Sequence, residues 1–285
     1  MPTDLPFRYA HVLSIAGSDS GGGAGIQADL KTISALGCFG MTAITALTAQ
    51  NTCGVRAIHA VPAQMLADQI DAVMEDIGAD AVKIGMLHAS DIVLTVAIAI
   101  ERHGLRNVVF DPVMVATSGA VLIDHSAMEV LVQELFPRAA LITPNLDEAA
   151  LLVGRPLRSE SDMQAAATDL LAMGARAVLL KGGHLAGDTV SDLLALGNGE
   201  HFWMRDARIQ TPNTHGTGCT LSSAIACHLA LGQDLVPAVQ AARSYIRGAL
   251  LHGAQVATGA GSGPLNHGYA PLPMRLQAQQ LTPGQ

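Results

Sequence analysis

The sequence predicts an α/β fold, with a mostly parallel central sheet and helices on both of its faces. Three observations carry this. Apolar runs of strand length alternate with longer helix-length runs through most of the chain. Glycines punctuate many of the joins, as at Gly37 and Gly104. Residues with chemical potential fall just after the apolar runs, where sheets of this kind build their sites.

The elements follow in order. His11–Ala16 reads as a buried strand and Ala24–Leu36 as a helix closed by Gly37. Phe39–Leu47 is a strand, Pro62–Ile77 a helix and Ala81–Ile84 a short strand. Ile92–His103 is a helix stopped by Gly104, followed by strand Asn107–Phe110, helix His125–Leu135 and strand Ala140–Thr143. Leu146–Leu152 and Asp162–Met173 are helices, and Ala177–Leu180 is a strand. Thr189–Leu196 and His201–Ile209 suit an antiparallel edge pair, and Cys219–Leu231 and Val236–His252 are the last helices. With no linker or repeat in view, residues 1–271 are expected to form one domain, and 272–285, rich in Pro and Gln, a frayed tail.

Composition narrows the function. With 49% hydrophobic and 14% charged residues, 285 residues can build a large core. A net charge of −8 argues against nucleic acid and anionic membranes, and 3% aromatic content against stacking on several bases. The four cysteines form no CxxC pair, no HExxH occurs among the 11 histidines, and Met1–Arg8 has no signal-like core. The expectation is a cytoplasmic protein with free thiols.

The most informative segment is 213–223, Asn-Thr-His-Gly-Thr-Gly-Cys-Thr-Leu-Ser-Ser, which opens into the apolar run Ala224–Leu231. A small-residue turn at a helix start presents free amides to an anion, and Cys219 adds a titratable group at the same point. A plain helix start with a buried cysteine has the same pattern. After the first strand, Gly17–Gly25 suits a loop around a small ligand, and Gly23-x-Gly25-x-x-Ala28 matches a loose dinucleotide fingerprint. The acid that fingerprint requires is missing, since the second strand runs out through Thr48-Ala49-Gln50-Asn51. No P-loop Gly-Lys-Ser/Thr and no protein-kinase signature occurs.

Together the motifs resemble the ribokinase superfamily and, within it, the hydroxymethylpyrimidine/phosphomethylpyrimidine kinases of thiamine biosynthesis. The resemblance runs from about His11 to Tyr269. It is carried by Ala16-Gly17-Ser18-Asp19, Gly22–Thr32, Thr45–Leu47 with Gln50-Asn51-Thr52, and Lys83–Leu87. Asp111–Met114, Thr143–Ala149, Lys181–His184 and Asn213–Thr220 complete it. It implies a ribokinase-like three-layer sandwich that uses ATP and Mg²⁺ on an aminopyrimidine alcohol and then its monophosphate, and a homodimer.

The resemblance also implies roles. Gly216, Thr217, Gly218 and Cys219 would form the anion hole for the γ-phosphoryl group, with Cys219 as base, its thiol lowered by the helix N-terminus. Gln50 would read the 4-aminopyrimidine edge, since one carboxamide offers both complementary groups. Gly17, Ala24, Met86 and Val113 would surround the ring, with core packing the alternative for Met86 and Val113. Asp29 would touch substrate or simply suit the start of its helix. Asn145, Lys181 and Thr214 would meet ATP, and Glu148 and Asp111 the metal. Asn145 and Glu148, at i and i+3, also fit a capping box, and Lys181 also fits a strand-end lysine. Pyridoxal kinase is the nearest alternative, and a non-catalytic nucleotide- or pyrimidine-binding protein the alternative from another class.

Two departures from the family pattern stand out. Ser20-Gly21 replaces the usual Pro-Ser, which would loosen the first loop, and Thr117 replaces a usual lysine within an expected flap at 115–122.

Overall fold

The computed structural model describes residues 5–114 and 125–278. Thr117 and the expected flap lie outside them.

A nine-stranded sheet runs through the molecule in the order β10-β9-β8-β7-β6-β5-β2-β3-β4. Its centre is parallel: β2 (His11–Asp19) pairs with β3 (Phe39–Asn51) and with β5 (Ala81–Ile84). Then β6 (Val108–Phe110), β7 (Leu141–Ile142) and β8 (Ala177–Leu180) follow in parallel. The expected edge pair is present as β9 (Thr189–Leu196) and β10 (His201–Ala207), antiparallel to each other, with β9 also antiparallel to β8.

Strand alternation sorts the core into two layers, because successive side chains point to opposite faces. Leu13, Ile15, Val82, Ile84 and Phe110 pack toward one layer. It includes α2 (Ala63–Asp76), α3 (Ser90–Arg102), α4 (His125–Leu135), α5 (Leu146–Val153) and α6 (Glu160–Ala172). Val12, Ala81, Val109, Leu141 and Leu179 pack on the other side with α1 (Gly25–Ala35), α7 (Thr217–Ala230) and α8 (Leu235–Gly253). Every residue of α7 from Thr220 to Ala230 is buried. A helix apolar on all sides has to be wrapped, and α7 lies against the sheet between α1 and α8.

Two expectations are corrected. β3 runs four residues past Leu47, to Asn51, and pairs antiparallel with β4 (Gly54–Ala60), a strand not anticipated from its mixed, largely exposed residues. The tail does not fray at Leu272: β11 (Leu276–Ala278) pairs with β1 (Phe7–Tyr9), and the Leu272 and Arg275 amides donate to Ala35 and Gly37 at 2.8 Å. The backbone supplies these bonds, so side-chain periodicity carries no trace of them.

Candidate active site

A cavity of about 620 Å³ opens at the carboxyl ends of the parallel strands, well within the size range of small-molecule sites. It is lined by Gly17, Ala24, Gln50, Met86, Asp111, Val113, Asn145, Glu148, Lys181 and Thr214, and by the whole run Gly216–Cys219. Of the residues expected at the site, only Asp29 is absent from its walls. Met86 and Val113 are half-buried and face the cavity, so they are wall residues and not closed core.

Two glycine loops build one end. Gly216 caps α7 with φ 85°, and a Cβ there would overlap the carbonyl oxygen of Gly23. The α7 turn therefore seats backbone-on-backbone against the first loop, which a side chain would prevent. Gly218 faces the other way: a Cβ there would lie 3.2 Å from both Asp111 Oδ2 and Lys181 Nζ. The opening amides of α7 thus stand beside a carboxylate–ammonium pair, in an arrangement that favours an anion.

The thiol expectation is corrected. Burial dominates at Cys219 and pushes the thiol up to about 11, against the opposing pull of the Lys83 ammonium and the Gly25 amide. Asp29 and Asp111 push in the same direction as burial. The helix N-terminus does not offset the low-dielectric surroundings.

The first loop is pinned, contrary to the loosening expected of Ser20-Gly21. Ser20 Oγ donates to the Gln50 carbonyl at 2.7 Å and accepts from the Gln50 amide at 2.8 Å. Asp19 organises the rest: its carboxylate accepts from the amides of Gly21, Gly23 and Ala24 and from His215 Nε2 at 2.9 Å. Burial pushes the Asp19 carboxyl up, but His215 and the loop amides together hold it below the ordinary aspartate range. Asp19 and His215 therefore tie the first loop to the α7 turn. Thr48 Oγ1 lies 3.1 Å from Gln50 Oε1, and Gln50 Nε2 is 3.5 Å from His215 Nε2. With the His215 proton directed at Asp19, that last approach is a contact only, and the Gln50 amide protons stay available to a ligand.

At the other end, Asn145 and Glu148 form the capping box of α5, with reciprocal bonds of 2.8 and 2.9 Å. Burial pushes the Glu148 carboxyl up to about 7, opposed by Lys181 and assisted by Asp111. Lys181 Nζ donates to Asp111 Oδ1 at 2.7 Å, as does Thr143 Oγ1 at 2.9 Å, and among the described residues Oδ2 of Asp111 has no hydrogen-bond partner. The capping role and a place on the cavity wall coexist in Asn145 and Glu148. Among the described residues no cluster of three or more His, Cys, Asp or Glu side chains suits a metal. Mg²⁺ needs no such cluster, because it keeps several waters and takes one or two carboxylates with substrate phosphates. Glu148 and Oδ2 of Asp111 fit that requirement.

Asp29 is corrected to an interior residue. It is wholly buried, accepts from Ser14 Oγ at 2.6 Å and Ser223 Oγ at 2.7 Å, and pairs with Lys83 Nζ at 2.8 and 2.9 Å. Lys83, Asp19 and His215 stood in the recognised motifs without a role. Only Lys83 carried a separate signal, a lysine inside the otherwise apolar strand Ala-Val-Lys-Ile.

With this geometry in place, likeness to other proteins becomes informative. The model of the phosphomethylpyrimidine kinase family matches residues 19–266. The hydroxymethylpyrimidine/phosphomethylpyrimidine kinase of Rhizobium meliloti is 50% identical over 259 residues, covering 90% of this chain and 97% of the relative. The thiamine biosynthesis bifunctional protein ThiED of Geobacter sulfurreducens is 51% identical over 92% of this chain, which spans only 53% of that longer protein. Among solved structures, phosphomethylpyrimidine kinase from Clostridium difficile 630 superposes with a TM-score of 0.74 at 42% identity, covering 84% of this chain and 99% of that one. The ADP complex of Bacillus subtilis pyridoxal kinase gives 0.83 at 36% identity, covering 91% and 98%. The fold is ribokinase-like, and the chain belongs to the phosphomethylpyrimidine kinase family.

Proposed function

We propose that this chain is an ATP-dependent kinase of thiamine biosynthesis. It phosphorylates the 5-hydroxymethyl oxygen of 4-amino-5-hydroxymethyl-2-methylpyrimidine and then the phosphate of that product. One observation carries the reading: a single cavity joins the Gln50 carboxamide to the amide-rich start of α7, with Cys219 on its wall. The names of close relatives support both steps.

The residues divide the work. Gln50 and the walls Met86 and Val113 orient the ring, with Gly17 and Ala24 supplying backbone. The amides of Gly216–Cys219 hold the migrating phosphoryl group, whose charge lies on its equatorial oxygens. The hydroxymethyl oxygen bonds to the γ-phosphorus as the bond to ADP breaks, and Cys219, once its thiol has given its own proton to solvent, accepts the hydroxyl proton. In a loose transition state that proton leaves late, so phosphate donors outweigh the base. Asn145, Lys181 and Thr214 serve the nucleotide. Glu148 and Asp111 would hold Mg²⁺, which when bound neutralises phosphate charge. A cytoplasmic homodimer built on one kinase domain completes the reading.

The test is an ATP-coupled assay with the alcohol, its monophosphate and pyridoxal supplied separately. Turnover of both pyrimidines well above pyridoxal is expected. Preference for pyridoxal would establish the alternative, and binding without ADP release would exclude an enzyme.

A further inference from the structure

Lys83 is among the largest fully buried side chains of the described residues, and the only charged one in that group. It lies on β5, on the face toward α1 and α7, where the neighbouring strands contribute Val12, Val109 and Leu141. Its ammonium points to the carboxyl edge: a Cβ on Gly85 would lie 2.9 Å from Nζ, and Lys83 reaches the cavity wall beside Met86. Two of its three protons are directed at Asp29. No other hydrogen-bond partner is found for Nζ among the described residues.

Asp29 is held in turn by Ser14 of β2 and Ser223 of α7. Ser223 lies four residues after Cys219 on the same helix, so it shares that helix face. The box Ser14–Asp29–Ser223 thus fixes the ammonium with respect to the turn that carries the thiol. Stability alone explains such a box poorly, since well-packed apolar residues usually replace a buried ion pair at no loss.

We propose that Lys83 is a positioning residue for Cys219: a fixed ammonium, aimed by the Asp29 box, that holds the anionic sulfur in place to receive the hydroxyl proton. The inference rests on Cys219 acting as the base. The thiol loses its proton to solvent through the cavity, and the resulting thiolate takes the hydroxyl proton as the oxygen–phosphorus bond forms. The groups acting on the sulfur are Asp29 from α1, Lys83 from β5, Asp111 after β6, Lys181 after β8 and the Gly25 amide. Both ammonium groups are paired, Lys181 with Asp111 and Lys83 with Asp29, but only the Lys83 pair is tied through Ser223 to the α7 face that carries Cys219, so Lys83 is the cation assigned to the thiol. Its pull on the thiol, second only to burial, agrees with this.

The test compares wild type with Lys83→Met and with Lys83→Met/Asp29→Leu, which removes the whole pair. Site-resolved iodoacetamide alkylation, followed by mass spectrometry across pH, reads Cys219 directly, with exposed Cys53 as internal control. In Lys83→Met, which leaves Asp29 without its cation, Cys219 alkylation at a given pH should slow by about tenfold or more, the effect of one pKa unit. In the double variant, which also removes the opposing Asp29 charge, the slowing should be smaller but still clear against wild type. Cys53 should not change, kcat should fall at least as far, and the ATP KM should hold within about twofold. The proposal is overturned if the double variant folds and both alkylates and turns over like wild type. Failure of both variants to fold would also overturn it, by making the pair a requirement of the fold. The alkylation profile does not depend on turnover. A wild-type protein without ATP-dependent activity would therefore refute the kinase reading while leaving the Lys83–Cys219 coupling to its own result.

Discussion

Gly218→Ala separates the chemistry of the α7 start from its stability. Gly218 is the second residue of α7, where alanine is worth roughly 0.5–1 kcal/mol more than glycine. The new methyl would sit 3.2 Å from Asp111 Oδ2 and from Lys181 Nζ. Both neighbours can give a few tenths of an ångström, at a cost similar to the helix gain. The melting temperature should therefore stay within about 4 °C of wild type. Activity has no such compensation, because the methyl enters the space between the amide hole and the Asp111–Lys181 pair. Alanine keeps the backbone N–H, but its methyl crowds the space the phosphate oxygens would fill, and a fall comparable to losing one oxyanion-hole donor, about 10²–10³ in kcat, is expected. Coupled ADP release and differential scanning fluorimetry on the same preparation read both quantities. Wild-type kcat at an unaltered melting temperature would show that the phosphoryl group does not pass through this hole.

Gly216→Ala should behave oppositely, because its Cβ overlaps the Gly23 carbonyl and its φ is 85°. A loss of about 2 kcal/mol or more is expected from strain and displaced backbone, and an unchanged urea midpoint would contradict the described loop packing. Gln50→Leu should raise the aminopyrimidine KM by about tenfold or more while leaving that for ATP nearly unchanged. Equal shifts in both would reduce Gln50 to a fold residue. His267 gives a pH test. Burial lowers its pKa to about 4, so the folded protein binds its proton less readily than the unfolded chain. That difference contributes stability above about pH 6.5 and loses it as pH falls toward 4, by at most on the order of 3 kcal/mol. His267→Gln, which retains a partner for Thr220 Oγ1, should flatten this acid slope in urea melts, and an identical slope would reject the assignment.

Much of the fold was legible in the chain. Ala81–Ile84, His125–Leu135, Ala177–Leu180 and Thr189–Leu196 fall where their runs stand, and the other predicted elements differ by a few residues at the ends. Buried parallel strands bounded by glycine give strong signals, whereas β4 and β11, with few buried side chains, give almost none. At the site, small-residue motifs located the loops, since close backbone approach leaves glycine as its trace. Electrostatics was harder to read. The helix start suggested an acidic thiol at Cys219, but the opposing burial depends on residues far away in sequence. Asp29 was misplaced for the same reason: its partners Ser14, Lys83 and Ser223 come from three other elements.

The pairing of Phe7 with Ala278 brings the two ends of the described chain side by side. They meet near Ala35 and Gly37, at the amino-terminal margin of β3 and across the sheet from the catalytic mouth. An enzyme fused beyond either end would leave substrate entry clear, as suits a relative such as the Geobacter protein, of which this chain spans about half. The same adjacency makes the kinase a natural candidate for circular permutation, with the old ends joined by a short linker and new ones opened in a surface turn.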